Sequence, residues 1–132
     1  MNQKLVPIVV AVLGVVAIVT GLIAVIGGPA AEFGGKAAVP SVDSQFRYAN
    51  YLWLAAGVIL IWTSRKPLER ALVTRTILVV AAVAGLGRLT SLIVVGVPAP
   101  FYLVTMGLEL IVTPLIIVWH ARTFPVRALT PA

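Results

Sequence analysis

Two ionisable residues stand inside long apolar stretches of the chain, Arg88 and Glu109. The loop sequence GVPAP separates the two stretches, and Arg88 lies eight residues before Gly96 while Glu109 lies eight residues after Phe101. Because a helix rises about 1.5 Å per residue, both side chains are predicted to lie about 12 Å below the same membrane surface. An unpaired charge in hydrocarbon is costly, so we expect the two residues to face the protein interior and to pair.

Three interpretations of this pair stay open. The first is a structural ion pair that fixes how helices pack. The second is a pocket in the outer half of the membrane, where Arg47 and Arg88 against one glutamate would leave an excess positive charge suited to a carboxylate, a phosphate headgroup or a quinone oxygen. The third is a proton relay, for which the sequence offers no second titrating group beside Glu109. The residues predicted to converge in this layer are Arg47, Asn50, Arg88, Ser91, Tyr102 and Glu109.

Other kinds of site find little support in the sequence. The chain has no cysteine, four acidic residues and one histidine, His120, which we expect at the membrane interface or at a helix end. These residues supply neither a metal-ligand set nor a catalytic triad or carboxylate pair. The GGK of the loop fails as a phosphate-binding motif, because Ala30 replaces its first glycine and Ala37 its hydroxyl residue. We therefore expect no enzyme, no metal and no cofactor.

The composition is that of a membrane protein. Hydrophobic residues make up 61% of the chain and charged residues 11%, with a mean hydropathy of +1.10, whereas soluble domains carry about 25% charged residues. The net charge is +6. Since the basic residues flank apolar stretches, they indicate orientation and contact with anionic lipid rather than nucleic-acid binding.

The apolar pattern predicts an all-α fold, an integral membrane antiparallel four-helix transmembrane bundle that forms one domain over residues 1–132. The predicted helices span about residues 5–27, 47–64, 72–95 and 101–120, with an outer loop at 28–46 that folds over the polar layer and a cytoplasmic tail at 121–132. The first stretch is too long for the apolar part of a signal peptide and lacks a clear cleavage site, so we expect a retained helix. Pro114 predicts a bend in the fourth helix, and Asp43 would pair with Arg47 if the second helix began early.

The distribution of cations predicts the orientation. An inner position of the N-terminus puts seven cations on the cytoplasmic side, Lys4, Arg65, Lys66, Arg70, Arg75, Arg122 and Arg127, and only Lys36 and Arg47 on the outer side. Both termini should therefore be cytoplasmic. The basic loop formed by Arg65, Lys66, Arg70 and Arg75 is interpreted as a determinant of this orientation, with docking of anionic lipid headgroups as the alternative.

Four segments carry a resemblance to a known family: QFRYANY at 45–51, GRLTSL at 87–92, GVPAP at 96–100 and GLEL at 107–110. They resemble the bacterial four-helix membrane family called domain of unknown function 4345, over about residues 5–119. On this resemblance Arg47, Gly87, Arg88, Ser91 and Glu109 match the polar positions of the family. The chain departs from the family at Tyr48-Ala49-Asn50, where a Tyr-Gly-Gly step is expected, and at Gln45, where an acidic residue is expected. A more distant resemblance is to DoxX-like four-helix membrane proteins. The resemblance implies a membrane bundle and no particular activity.

The predicted function is that of a small, non-enzymatic, multi-pass protein of the cell membrane, the bacterial inner membrane. The leading expectation is an accessory or scaffold subunit that assembles as a homo-oligomer or with a larger membrane protein. The alternative is a binder of a lipid, a quinone or a small anion in an outer-half pocket. A subunit should expose a helix face of small residues, whereas a binder should contain a cavity lined by Arg47, Arg88 and Glu109. A transporter component is less expected, because we find no internal inverted repeat.

Overall fold

The computed structural model describes residues 3–126. Within them the chain is all-α, with four helices and no strand. We name the helices α1 (Leu5–Gly27), α2 (Pro40–Ser64), α3 (Ala71–Val94) and α4 (Pro100–Thr123). A short 3₁₀ turn, Pro29–Ala31, lies in the loop between α1 and α2. Arg127, one of the cations used to predict the orientation, and the tail at 127–132 lie outside the described residues.

The first turns of α2 differ from the prediction. The helix begins at Pro40 instead of near Arg47, so the outer loop is shorter than residues 28–46. Val39 is extended, and Pro40 occupies a first-turn position where its missing N–H and fixed φ suit a helix start. Asp43 in the first turn is favourable at the positive end of the helix dipole. The polar sequence that suggested a loop therefore forms an exposed extension of the helix.

Helices α1 and α2 form a closely packed antiparallel pair. A Cβ atom added to Gly14 would lie 2.8 Å from the carbonyl oxygen of Gly57, and one added to Gly57 would lie 2.7 Å from the carbonyl oxygen of Gly14. Ala17 and Gly21, two small residues four apart in the sequence, are buried on the same helix. Small residues thus set the distance between these two backbones.

One apolar cluster joins all four helices. It contains one buried residue from each of them: Val10, Leu60, Leu78 and Ile116. A second cluster, formed by Val6, Ala71 and Phe124, closes the end of the bundle near the α2–α3 turn. The core is therefore shared by the α1–α2 and α3–α4 hairpins.

Three of the helices are long and apolar enough to cross a membrane: α1, α3 and α4. Much of their apolar surface points away from the bundle, with exposed fractions of 77% for Ile26, 76% for Val94 and 64% for Ile111. Apolar residues in such numbers on the outside of long helices are typical of a lipid-facing surface. Helix α2 is not among the three, and its first half carries Asp43, Arg47 and Asn50.

Candidate functional site

A π-helical turn, Leu108–Val112, interrupts α4 and carries Glu109. Pro114 has no N–H to donate, and its ring crowds the carbonyl four residues earlier, which is that of Leu110. The backbone N–H of Thr113 donates instead to the carbonyl of Leu108, and the Thr113 hydroxyl donates to the same oxygen at 3.0 Å. Where the sequence predicts a bend, the structure thus has a π turn, which adds a residue to the turn and changes the direction of the side chains on it.

Arg88 of α3 and Glu109 of α4 form the ion pair that the sequence predicts. Arg88 Nε donates to Glu109 Oε2 at 2.9 Å, and the side chains are 39% and 14% exposed. Gly85, one helical turn before Arg88, permits this approach, because a Cβ atom there would lie only 2.9 Å from Glu109 Cβ. The carboxylate therefore lies between the helices, while the guanidinium reaches the surface of the bundle.

The outer loop adds a carboxylate that the sequence interpretation leaves out of the site. Tyr102 donates its hydroxyl hydrogen to Glu32, and the guanidinium carbon of Arg88 lies 5.5 Å from the centre of the Tyr102 ring. Beside this contact the rings of Phe33 and Phe101 are 4.6 Å apart between centres. The loop is thus fastened to the first turn of α4 above the ion pair. In the sequence this attachment of the loop is indicated only by Glu32 and Phe33, an acidic and an aromatic residue that stand together among small loop residues.

Arg47 pairs with Asp43, as the sequence predicts for an early start of α2, and not with the polar layer. Its guanidinium donates to both carboxylate oxygens of Asp43, at 2.7 and 3.2 Å, and to the carbonyls of Val25 and Ile26 at the end of α1, the latter at 3.2 Å. The hydrogen bond from Arg47 lowers the pKa of Asp43, which precedes the apolar part of α2. Arg47 therefore neutralises Asp43 and binds the free carbonyls of a helix C-terminus, where a cation is favourable.

Asn50 and Ser91 also lie apart from the ion pair's contacts. Asn50 Nδ2 donates to the carbonyl of Phe46 in its own helix at 2.9 Å. Ser91 is exposed, and its hydroxyl makes no hydrogen bond with the described residues. The predicted convergence is thus wrong for Arg47, Asn50 and Ser91, because each is turned to a partner on its own side of the bundle or to the outside.

The charge of the layer is the reverse of the predicted one. The sequence interpretation counts Arg47 and Arg88 against Glu109, an excess of one positive charge. In the structure Asp43 matches Arg47, and Glu32 joins Glu109 around Arg88. The cluster of Arg88, Tyr102, Glu32 and Glu109, called the outer cluster below, therefore has two carboxylates and one guanidinium.

A cavity of about 120 Å³ lies between the four helices and reaches Glu109. Every helix contributes apolar residues to its wall, among them Leu13, Trp53, Leu78 and Leu108. Its polar lining consists of Glu109 and the hydroxyl residues Thr105 and Thr113. Neither Arg47 nor Arg88 lines it, in contrast to the expected pocket. Chemically it is an apolar space with one carboxylate at its edge.

The basic loop at the opposite end of the bundle divides into two parts. Arg65 is exposed, Lys66 pairs with Glu69 at 2.9 Å, and the Arg70 guanidinium carbon lies 3.6 Å from the centre of the Trp62 ring. Arg65 and Lys66 are exposed, and Arg70 is partly exposed.

Arg75 departs from the predicted basic loop. It lies in the second turn of α3, where its Nε donates to His120 Nδ1 at 3.4 Å and another nitrogen donates to the carbonyl of Phe124. His120 lies in the last turn of α4, which ends at Thr123, so the prediction of a helix-ending residue is confirmed. The side chain is only 1% exposed, which the sequence does not predict. Arg75 and His120 therefore join α3 to α4. They do so at the end of the bundle that the second apolar cluster closes.

The described residues contain no group of three or more His, Cys, Asp or Glu side chains that could hold a metal ion. Each of the four acidic residues contacts a donor: Glu32 contacts Tyr102, Asp43 contacts Arg47, Glu69 contacts Lys66, and Glu109 contacts Arg88. The arrangement can hold a layer of charge between helices and offer a hydrogen-bond acceptor to the cavity.

Comparison with known proteins agrees with the resemblance seen in the sequence. No curated protein and no solved structure gives a match, and the resemblance to DoxX-like proteins stays an expectation. One family model matches residues 5–120, nearly the whole chain and all four helices. The chain therefore belongs to the family described as Domain of unknown function (DUF4345).

Proposed function

We propose that this chain is a non-enzymatic, four-span protein of the cell membrane that holds a small lipid-like molecule in the cavity between its helices. The observation that carries the proposal is the cavity itself, about 120 Å³ in volume and lined by residues of all four helices. Protein interiors are otherwise close-packed, so a cavity of this size at the centre of a small bundle is a candidate binding site.

The four-span arrangement requires α2 to cross the membrane as well. Its second half, from Leu52 to Trp62, is mostly apolar, and its Leu60 belongs to the cluster shared by all four helices. Antiparallel packing then brings Lys4 and the basic loop to one end and Lys36 to the other. The excess of cations at the first end favours a cytoplasmic position for both termini in the plasma membrane.

The proposal is tested with benzene as the probe and the protein in mild detergent. Saturable shifts of the methyl NMR signals of Ile77 and Leu78, which line the cavity, are expected. Ala81→Leu fills part of the cavity and should abolish saturation. Ala84→Leu is the matched control, because Ala84 is exposed on the same helix. A native protein without saturable shifts, or equal effects of the two variants, would refute binding in the cavity.

A second candidate function is that of an accessory or scaffold subunit, and the outer face of α3 favours it. Ala84, Gly87 and Ser91 are exposed there at helical spacing, and a Cβ atom on Gly87 would meet nothing within 4 Å. Small residues allow another helix to approach. Native mass spectrometry from mild detergent distinguishes the candidates. A subunit should appear in complex with one partner protein or a second copy, and Gly87→Leu should abolish that complex. A binder should appear as a single chain that carries a small molecule.

The non-enzymatic assignment rests on the composition of the chain, which has four acidic residues, one histidine and no cysteine. We propose the lipid bilayer as the constant partner and no nucleic-acid ligand, since the cations belong to the ends of apolar helices.

A further inference from the structure

Glu109 has one carboxylate oxygen engaged and one unengaged. Oε2 accepts the hydrogen bond from Arg88, whereas Oε1 accepts none from the described residues. The side chain is 14% exposed and lines the cavity. A partly enclosed carboxylate oxygen beside an apolar space gains from a donor that reaches it, because an unmade hydrogen bond at such an acceptor is costly.

We propose that the cavity selects a neutral molecule with an apolar body and a single hydroxyl group, whose O–H donates to Glu109. This inference rests on the proposed function and adds the class of ligand to it. The rest of the cavity wall fits the apolar body, since apolar residues from α1, α2 and α3 form it.

The charges around Glu109 argue against an anion. An anionic ligand would meet Glu109 at the cavity and Glu32 nearby in the outer cluster, while Arg88 does not line the cavity. A cation is also disfavoured, because Arg88 already neutralises Glu109 and a buried ammonium group would lose its hydration without a free countercharge. A hydroxyl group donates a hydrogen bond without adding charge.

The volume limits the part of the ligand that the cavity can take. An apolar cavity of about 150 Å³ in another protein binds benzene, and the cavity here has about 120 Å³. One aromatic ring or a short branched alkyl group is the largest body that it could enclose. Phenol therefore serves as the probe, with benzene and benzoate as ligands of similar size that lack the donor or carry a charge.

The two threonines are weaker acceptor candidates than Glu109. Thr105 donates to the carbonyl of Tyr102 at 3.1 Å, and Thr113 donates to that of Leu108 at 3.0 Å. Both hydroxyl groups are thus held against their own helix. Thr105→Val keeps the shape of the side chain and removes its hydroxyl, so it is the matched control for the loss of Glu109.

The experiment measures binding of the three probes by the methyl NMR shifts of Ile77 and Leu78, corrected for partition of each probe into the detergent. Phenol should bind about tenfold or more tightly than benzene, as expected for a hydrogen bond to a carboxylate, and benzoate should not bind. Arg88→Leu/Glu109→Leu should reduce the ratio of phenol to benzene affinity to about one, since that hydrogen bond is lost. Thr105→Val should retain the tenfold ratio.

Equal binding of phenol and benzene by the native protein would overturn the ligand class and leave the proposed function standing. A preference for phenol that survives in Arg88→Leu/Glu109→Leu would remove Glu109 as the acceptor, and saturable binding of benzoate would restore the anion pocket. If neither phenol nor benzene binds, the proposed function fails together with the inference. The comparison of the three probes needs no substitution, so the result does not depend on the folding of any variant.

Discussion

At the scale of single residues, the pairing of Arg88 with Glu109 follows from the cost of charge in hydrocarbon. The structure adds that the two residues are unequal, because Glu109 is 14% exposed and Arg88 is 39% exposed. Removing the guanidinium leaves a carboxylate between helices, whereas removing the carboxylate leaves a cation that can turn toward the surface. The more enclosed member of the pair therefore determines its effect on folding.

This asymmetry gives the first prediction. Arg88→Leu should lower the free energy of unfolding by about 1–3 kcal/mol, less than the 3–5 kcal/mol typical of fully buried pairs, because the pair is partly exposed. Glu109→Gln should cost less than Arg88→Leu, and Arg88→Leu/Glu109→Leu should recover much of the loss. Unfolding by denaturing detergent measures all three variants. If none of the three variants changed the free energy of unfolding, the ion pair would be absent.

At the scale of helices and loops, close packing of α3 on the π turn of α4 depends on a glycine. Gly85 and Gly87 are two residues apart in α3, yet a Cβ atom on Gly85 would lie 2.9 Å from Glu109 Cβ while one on Gly87 would meet nothing within 4 Å. Intrinsic helix propensity is the same for both glycines. Only the contact with α4 distinguishes them.

The second prediction uses this matched pair. Gly85→Ala should destabilise the protein by about 1–3 kcal/mol, because overpacking forces the two helices apart. Gly87→Ala should be neutral or stabilising by up to about 1 kcal/mol, as alanine favours a helix. Unfolding in denaturing detergent reports both values. Equal effects would show that α3 and α4 do not approach as closely as described.

The loop between α1 and α2 is held by few contacts, which gives the third prediction. Tyr102→Phe removes the hydrogen bond to Glu32 and leaves the contact between Phe33 and Phe101. Amide hydrogen exchange in residues 28–39 should become faster, while exchange in the core around Leu78 should stay unchanged. Tyr51→Phe is the control, because Tyr51 is 59% exposed on α2 and away from these contacts. Unchanged loop exchange in Tyr102→Phe would mean that the hydroxyl group does not hold the loop.

At the scale of the whole molecule, the sequence predicts what hydrophobicity and charge determine. The positions of α1, α3 and α4 and the contact of Arg88 with Glu109 follow from long apolar stretches and from the cost of an unpaired charge. The start of α2 at Pro40 and the π turn have local causes, Pro40 and Pro114, that hydrophobicity and charge do not describe. The burial of His120 depends on a partner from a distant part of the chain, Arg75. Glu32 was missed for the same reason, since its partner Tyr102 is 70 residues away.

The last prediction concerns orientation. The natural chain contains no cysteine, so single cysteines report position without a background. Lys36→Cys lies in the loop between α1 and α2, and Arg65→Cys lies at the end of α2; both positions are exposed. In intact cells a membrane-impermeant maleimide should label Lys36→Cys and not Arg65→Cys, and lysis should make both reactive. Equal labelling in intact cells would mean that α2 does not cross the membrane, and the inverse pattern would place both described ends outside. If labelling were equal, α2 would lie along the membrane surface. Leu60 could then not pack against Val10, Leu78 and Ile116 as it does here.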